Sequence, residues 1–339
     1  MKTNKVFLGI LVLVFVALMM ASTLAFTEPL KLKVVMLFAN PITSEAWNLN
    51  CFKGLMRAKE DFDVDILYQE SVSDGEFPGV LRSSIMEGAD LIIVNELYRT
   101  EPTLEMAEQY PDTMFAVCYG TKGADNVASV GGTNWEANCL SGAVAGAMTE
   151  TNTVGFMIAT DSPIAHNYLN AGFIYGARWT NPEVKVLTTY VGSWDDILKG
   201  KELVISMIDA GVDIVYSQSG KANQIAVQVC EGKGVWAIVT PSNDMIDVAP
   251  KTVVAVSTLV ADEIVYGIVE DMVKGNLQGG LVVKGIKEGV EDIYFNPLLI
   301  DKVPENGIER VMELRQKIID GEVTIEKIRE ELTKENIIF

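Results

Sequence analysis

The chain has 339 residues, which suits two domains of about 150 residues each better than one. Its 49% hydrophobic and 22% charged residues, with no low-complexity stretch, exclude a largely disordered polypeptide. A net charge of −19 at pH 7 repels phosphate backbones and excludes a nucleic-acid polymer as the expected partner.

The N-terminus reads as an export segment. Lys2 and Lys5 precede an uncharged, mostly apolar run from Val6 to Ala25, and Thr23-Leu24-Ala25 offers small residues for signal cleavage. The run is also long enough to span a bilayer. Residues 1–25 are therefore expected to be either a cleaved signal peptide or an uncleaved anchor, and both place the rest of the chain outside the membrane on the extracytoplasmic side. No Cys closes the segment, so a lipoprotein signal is not expected.

From Leu32 short β-rich runs alternate with amphipathic helices. Strands are expected at Lys33–Phe38, Val64–Tyr68, Asp90–Asn95, Thr113–Cys118 and Asn126–Val130, with helices at Asn48–Asp61, near Pro78–Glu87 and near Thr103–Gln109. The helix Trp135–Met148 is rich in small residues, which let its backbone pack closely. A second series follows: strands Thr153–Ile158, Val184–Tyr190, Asp213–Ser217, Val235–Val239 and Val253–Ser257, with helices Ile164–Arg178, Asp196–Ala210, Asn223–Glu231 and Asp262–Lys274. Apolar strands without alternation are buried on both faces, which means parallel sheets covered by helices on both sides. The fold class expected is α/β, with two doubly wound parallel-sheet lobes. The charged helices Glu305–Asp320 and Thr324–Thr333 are expected to pack across the outside of a lobe. Cys51, Cys118, Cys139 and Cys230 form no C-x-x-C pair and are expected as buried free thiols, with Cys51–Cys139 the one candidate disulfide.

In open parallel sheets, ligands bind beyond the carboxyl ends of the strands. The loops there carry Trp47 and Trp194, one in each series, and Trp135 between them. Each either caps the edge of a core or stacks on a ligand. Ser44, Glu45, Asn48, Asn95, Glu96, Asn134, Asp161, Asp195, Asp196, Ser219, Gly220, Asn223, Asn243 and Asp244 supply hydrogen-bonding groups in the same loops; Asp195 and Asp196 also suit helix caps. The one histidine, His166, reads as structural. No nucleophile elbow, phosphate loop or dinucleotide fingerprint is present, so neither an enzyme nor a cofactor or metal is expected.

Several segments carry a resemblance. They are Ala46-Trp47-Asn48 with Gly54, Tyr110-Pro111-Asp112 with Phe115-Ala116, and Gly142-Ala143-Val144-Ala145-Gly146. Val154-Gly155-Phe156, Asn170-Ala171-Gly172-Phe173 with Gly176-Ala177-Arg178 and Asn181-Pro182, Gly192-Ser193-Trp194 with Asp196, Gly211-Val212-Asp213-Ile214, and Gly234-Val235-Trp236-Ala237-Ile238 complete the set. In this order they resemble the basic membrane protein family of ABC-transporter solute receptors, which includes purine nucleoside receptors. The resemblance runs over roughly residues 34–275. It implies a type I periplasmic-binding fold whose lobes are joined by a hinge of crossing strands. Lobe 1 is then 31–133 with about 258–285, lobe 2 is 134–257 with about 286–303, and 304–339 is a helical tail. It also implies a stacking aromatic at Trp47 beside Asn48, and a second at Trp194. The acidic residues that hold ribose in the nucleoside receptors are replaced here by Ser44, Tyr119 and the Thr240-Pro241-Ser242-Asn243-Asp244 loop.

The expected function is an extracytoplasmic solute-binding protein of an ABC transporter. A nucleoside-like or simple sugar-like ligand would be held between the lobes by Trp47, Asn48, Ser44, Glu45, Asn95, Tyr119, Asn134, Trp194, Asp196, Ser219, Gly220 and Asp244. The expected partners are that small molecule and a membrane permease, with the chain acting as a monomer. A sensory module without transport, or a nucleoside or sugar hydrolase, are the competing readings.

Overall fold

The structure, a computed structural model, describes residues 31–44, 46–241, 243–335 and 337. The export or anchor segment expected at residues 1–25, and Glu45, lie outside the described residues. The described residues from Lys33 onward form one compact unit.

The first strand–helix series is β1 (Lys33–Leu37), α1 (Ala46–Phe62), β2 (Asp65–Gln69), α2 (Phe77–Met86), β3 (Leu91–Val94), α3 (Thr100–Ala107), β4 (Met114–Cys118) and β5 (Val127–Gly132). The second is α4 (Glu136–Met148), β6 (Thr153–Ile158), a π-helical turn (Ala165–Asn170) running into α5 (Ala171–Thr180), β7 (Lys185–Tyr190), α6 (Ile197–Asp209), β8 (Ile214–Gln218), α7 (Ala222–Lys233), β9 (Trp236–Val239) and β10 (Val253–Leu259). The chain then passes through α8 (Ala261–Val273), β11 (Gly280–Lys284), β12 (Glu291–Phe295), α9 (Glu305–Ile319) and α10 (Ile325–Lys334).

Among the described residues the strands form two six-stranded sheets. The first runs β11-β5-β4-β3-β1-β2 and is parallel throughout. The second runs β12-β10-β9-β8-β6-β7 and is parallel except for β12, which pairs antiparallel with β10. Leu91–Val94 and Phe115–Cys118 are wholly buried, which is why these strands show no polar alternation: helices cover both faces. The chain crosses between the sheets at β5–α4, at β10–α8 and at β11–β12. Gly234 ends α7 in a left-handed conformation (φ 69°), from which its N–H reaches back to the Cys230 and Glu231 carbonyls.

Small residues set the closest helix contact. On α4 and α5, a Cβ at Gly142 would lie 2.0 Å from the Phe173 carbonyl oxygen, and one at Gly176 would lie 1.7 Å from that of Cys139. The backbones touch where any side chain would stand. Gly176→Ala is therefore expected to cost about 1–3 kcal/mol by overpacking, read as a lower urea midpoint at unchanged slope. A midpoint within error of wild type would show that the helices separate without cost.

Three features differ from the sequence expectation. The two final helices do more than lie across a lobe: Val311, Leu314, Ile318, Ile328 and Leu332 are buried in the core of the second lobe with Phe173 and Ile174. Arg315 fastens α9 to β12 through a bidentate contact with Asp292 (2.9 and 2.6 Å). Strands β11 and β12 are additional to those expected; both are edge strands with mixed burial, so neither has the continuous apolar signature of a central parallel strand. The Cys51–Cys139 bridge does not form. All four thiols are free and buried, Cys139 lies in the second lobe's core, and Cys51 neighbours Cys118 instead. Burial, reinforced by Cys118, holds the Cys51 thiol well above its ordinary range.

Candidate functional site

Each sheet has one point where the strand order reverses, and in such sheets the ligand crevice lies there, beyond the carboxyl ends of the strands. In the first sheet it lies between β1 and β3; in the second, between β6 and β8.

At the first crevice, Asn48 opens α1 just beyond β1 and Asn95 directly follows β3. They are 1% and 3% exposed. Asn95 Nδ2 donates to Asn48 Oδ1 (2.7 Å), and Asn48 Nδ2 makes a long contact to the Pro41 carbonyl (3.4 Å). Asn95 Oδ1 is buried and has no hydrogen-bond partner among the described residues. A buried acceptor in that state costs about 1–3 kcal/mol, so the pocket favours a donor from outside the protein. Trp47, half-buried in the first turn of α1, meets the Tyr119 ring edge-on (centroids 5.5 Å, 69°). Tyr119 turns out of β4 with φ 54°, and burial and the nearby Glu291 push its hydroxyl well above the ordinary range.

Behind this face a charged support holds the loops. Glu96 Oε1 accepts the Ala39 N–H (2.7 Å), which fixes the chain leaving β1. Arg99, 2% exposed, lies 3.8 Å from Glu96, donates to the Val72 carbonyl (2.5 Å) and to Asp74 (3.0 Å), and stacks over Phe77 at 4.5 Å.

At the second crevice, Ser219 and Gly220 follow β8. The Ser219 N–H and hydroxyl both reach Asn223 Oδ1 (2.8 and 3.1 Å), and the Asn223 amide donates to the Thr240 carbonyl (2.8 Å). Gly220 adopts φ 60° beneath Trp194, where a Cβ would stand 2.5 Å from the Trp194 carbonyl oxygen. Trp194 is 51% exposed, and its carbonyl accepts the Lys221 N–H (2.9 Å). Beyond β6 and β7, His166 Nε2 lies 2.6 Å from Asp161 Oδ1 and Nδ1 lies 3.0 Å from Tyr190 Oη. That chain makes Tyr190 a donor to the ring and His166 a donor to the carboxylate when the imidazole is neutral.

A family profile described as ABC transporter substrate-binding protein PnrA-like matches residues 31–329. The chain belongs to this family. Its members are solute-binding proteins of ABC transporters, and a fold of two parallel-sheet α/β lobes suits such a role. Among the relatives, the transcriptional activator protein Med of Bacillus subtilis is 30% identical over 84% of this chain and 89% of its own length. A purine-binding protein of Brucella abortus is 27% identical over 86% of this chain and 82% of its own. A crystal structure of an ABC transporter solute-binding protein from Aeropyrum pernix superposes with a TM-score of 0.74 at 25% identity, covering 90% of this chain and 98% of that one.

Within the family frame, the structure distributes the sequence-derived site residues unevenly. Trp47, Asn48, Asn95 and Tyr119 converge at the first crevice, while Ser219, Gly220 and Trp194 adjoin the second. Three others spend polar groups locally. The Ser44 hydroxyl donates to the Pro41 carbonyl (2.7 Å), and Asp196 caps α6 by accepting the Lys199 N–H (2.9 Å). Asn134 donates its N–H to Glu291 (3.0 Å) and its amide to the Gly132 carbonyl (3.1 Å). Asp244 is exposed in the first turn of a 3-10 helix, Asn243–Val248.

Glu291 and Arg99 carry structural weight that sequence reasoning passed over. Glu291, 3% exposed at the start of β12, accepts the Thr133 hydroxyl (2.9 Å), the Asn134 N–H and, at 3.4 Å, the Ala137 N–H. Burial pushes its carboxyl up against those hydrogen bonds. Nothing in the local pattern of Val290-Glu291-Asp292 marks it, because its partners lie more than 150 residues earlier. Arg99 carried a usable signal: a lone cation in the loop just beyond an apolar strand, three residues after an acid.

Proposed function

We propose that the protein captures a small polar ligand with a planar or apolar face between its two crevices and presents it to an ABC-transporter permease. The observation that carries this reading is the unpaired, buried Asn95 Oδ1 beside Asn48 and the Trp47–Tyr119 pair. A ligand N–H or O–H satisfies the Asn95 acceptor. The Trp47 ring covers the ligand's face from lobe 1 and Trp194 covers it from lobe 2. Apolar faces then supply affinity and the amides orientation. Nucleoside-like and simple sugar-like ligands both fit this chemistry, and the 27% identical purine-binding relative supports testing purine compounds first. The family and the apolar run following Lys2 and Lys5 support an exported protein, with the ligand-binding part on the extracytoplasmic side.

The test is a thermal-shift screen with adenosine, guanosine, free purine bases, ribose and glucose. A ligand at 100 times its Kd adds about 2.7 kcal/mol of stability, a clear upward shift. Stabilisation by one chemical class identifies the ligand; no shift from any compound removes the capture reading for these classes.

The 30% identical relative named as a transcriptional activator favours a second reading, ligand sensing without transport. Deleting the gene separates the two. Loss of ligand uptake supports transport, while intact uptake with altered ligand-dependent transcription supports sensing.

A further inference from the structure

Two of the three chain crossings between the lobes are tied to one another by carboxylates. The first crossing, β5–α4, holds Thr133, Asn134 and Glu136; the third, β11–β12, holds Gly285, Ile286, Glu288 and Glu291. The ties are reciprocal. Glu291 from the third crossing accepts from Thr133 (2.9 Å) and Asn134 (3.0 Å) of the first. Glu136 from the first accepts the Ile286 N–H (2.7 Å) of the third. The second crossing joins them through Val260 N–H to the Val290 carbonyl (2.8 Å).

Both carboxylates are seated on glycines that leave no room for a side chain. A Cβ at Gly132 would lie 2.1 Å from Glu291 Oε1, and one at Gly285 would lie 2.3 Å from Glu136 Oε2. Lobe motion in two-lobed binding proteins is absorbed in such connections. Any rotation there has to move these contacts.

We propose that Glu136 is a proton-controlled latch on the interlobe connections: protonated, it holds the first and third crossings together, and ionised, it lets them part. Glu288 accepts the neighbouring Gly285 N–H (2.8 Å), so Glu136, Glu288 and Glu291 crowd one turn of the connection. The other charged and titratable groups around it do not neutralise this crowd. Lys284 is turned towards Asp271 on α8 (3.4 Å), Asp292 is taken up by Arg315 of α9, and Tyr119 of the β4 end and Cys139 of α4 are neutral at pH 7. Lys287, in the same connection, is exposed. Burial pushes the Glu136 carboxyl up to about 7; the Ile286 N–H opposes this, and Glu291 and Glu288 add repulsion.

The sign follows from linkage. A carboxyl with a raised pKa in the closed-over arrangement holds its proton where the solvent-exposed form has lost it. The arrangement is therefore stabilised at low pH, weakens as pH rises from the ordinary carboxyl range, and stops weakening above about 7. Ligand affinity then depends on pH through hinge freedom and without titration of any group touching the ligand. This inference rests on the binding reading above only for that last consequence.

The test is hydrogen–deuterium exchange of the full chain without ligand, from about pH 5 to about pH 8, corrected for the intrinsic exchange rate at each pH. The expected result is that protection of amides 285–287 falls by about tenfold or more and levels off above about pH 7, while α9 and α10 amides do not change. Glu136→Gln keeps an acceptor for Ile286 and removes the titration, so its protection should be flat with pH. Glu288→Gln relieves the crowding, so its plateau should arrive at lower pH. A flat wild-type profile, or a Glu136→Gln profile that tracks wild type, overturns the latch. Because no ligand is present, failure of the capture reading leaves this result intact, and failure here leaves capture intact.

Discussion

Replacing Trp47 by Ala is expected to raise the Kd of the bound ligand roughly 10- to 100-fold, as loss of one aromatic stacking surface costs about 1–3 kcal/mol. Trp47 is the half-buried ring at the mouth of the first crevice. It stands on the first turn of α1 one residue before Asn48, and the edge of Tyr119 holds its orientation. It is not part of the buried apolar core, so the variant should fold with wild-type cooperativity and the loss should appear in affinity alone. Trp47→Phe retains a face of similar polarity and should recover most of the binding. Isothermal titration with the ligand from the thermal-shift screen measures both. An affinity within twofold of wild type for Trp47→Ala would take the stack out of the binding model and leave the amide pair as the recognition element.

Arg99→Met should produce the largest loss of stability, about 3–5 kcal/mol, because removing one side of a buried charge pair strands the other. The guanidinium lies beside Glu96, holds the Val72 carbonyl and covers Phe77. Without it, the mostly buried Glu96 carboxylate keeps its bond to the Ala39 N–H but loses its neighbouring cation. Arg99→Met combined with Glu96→Gln should recover much of the stability, since a neutral amide costs far less to bury than an ion. Urea denaturation of the two variants decides the matter. If the double variant were no more stable than the single, packing on Phe77 rather than charge would be the reason for Arg99. Because Glu96 fixes the chain leaving β1, the single variant should also weaken ligand binding, whereas Gly176→Ala on the far helices should not.

The central strands were legible because they are decided locally. Val34–Leu37, Leu91–Val94 and Phe115–Cys118 are runs that water cannot reach from either face, and a run of that kind has one inexpensive home, the inside of a parallel sheet. From the parallel sheets follow the crevices at the carboxyl ends, and so the loops that carry Trp47, Asn48, Asn95 and Trp194. Helix starts were legible for the same reason, but with an ambiguity that sequence does not resolve. An Asp before a helix suits both a ligand and the helix's own first N–H groups, and Asp196 spends an oxygen on Lys199.

Tertiary structure alone decided which polar groups are used up and which remain. Asn48 and Asn95, 47 residues apart, pair only because β1 and β3 are neighbours, and that pairing is what leaves Asn95 Oδ1 without a partner. Asn134 and Glu291, 157 residues apart, meet only because β12 turns back antiparallel along β10. Hydropathy and spacing thus determined the two-lobed α/β frame and, through it, the loops that form the candidate site. Burial of a charge or an amide depends on what the chain brings against it from far away. For that reason the hinge carboxylates, the buried Arg99 and the open acceptor at the crevice came from the folded structure.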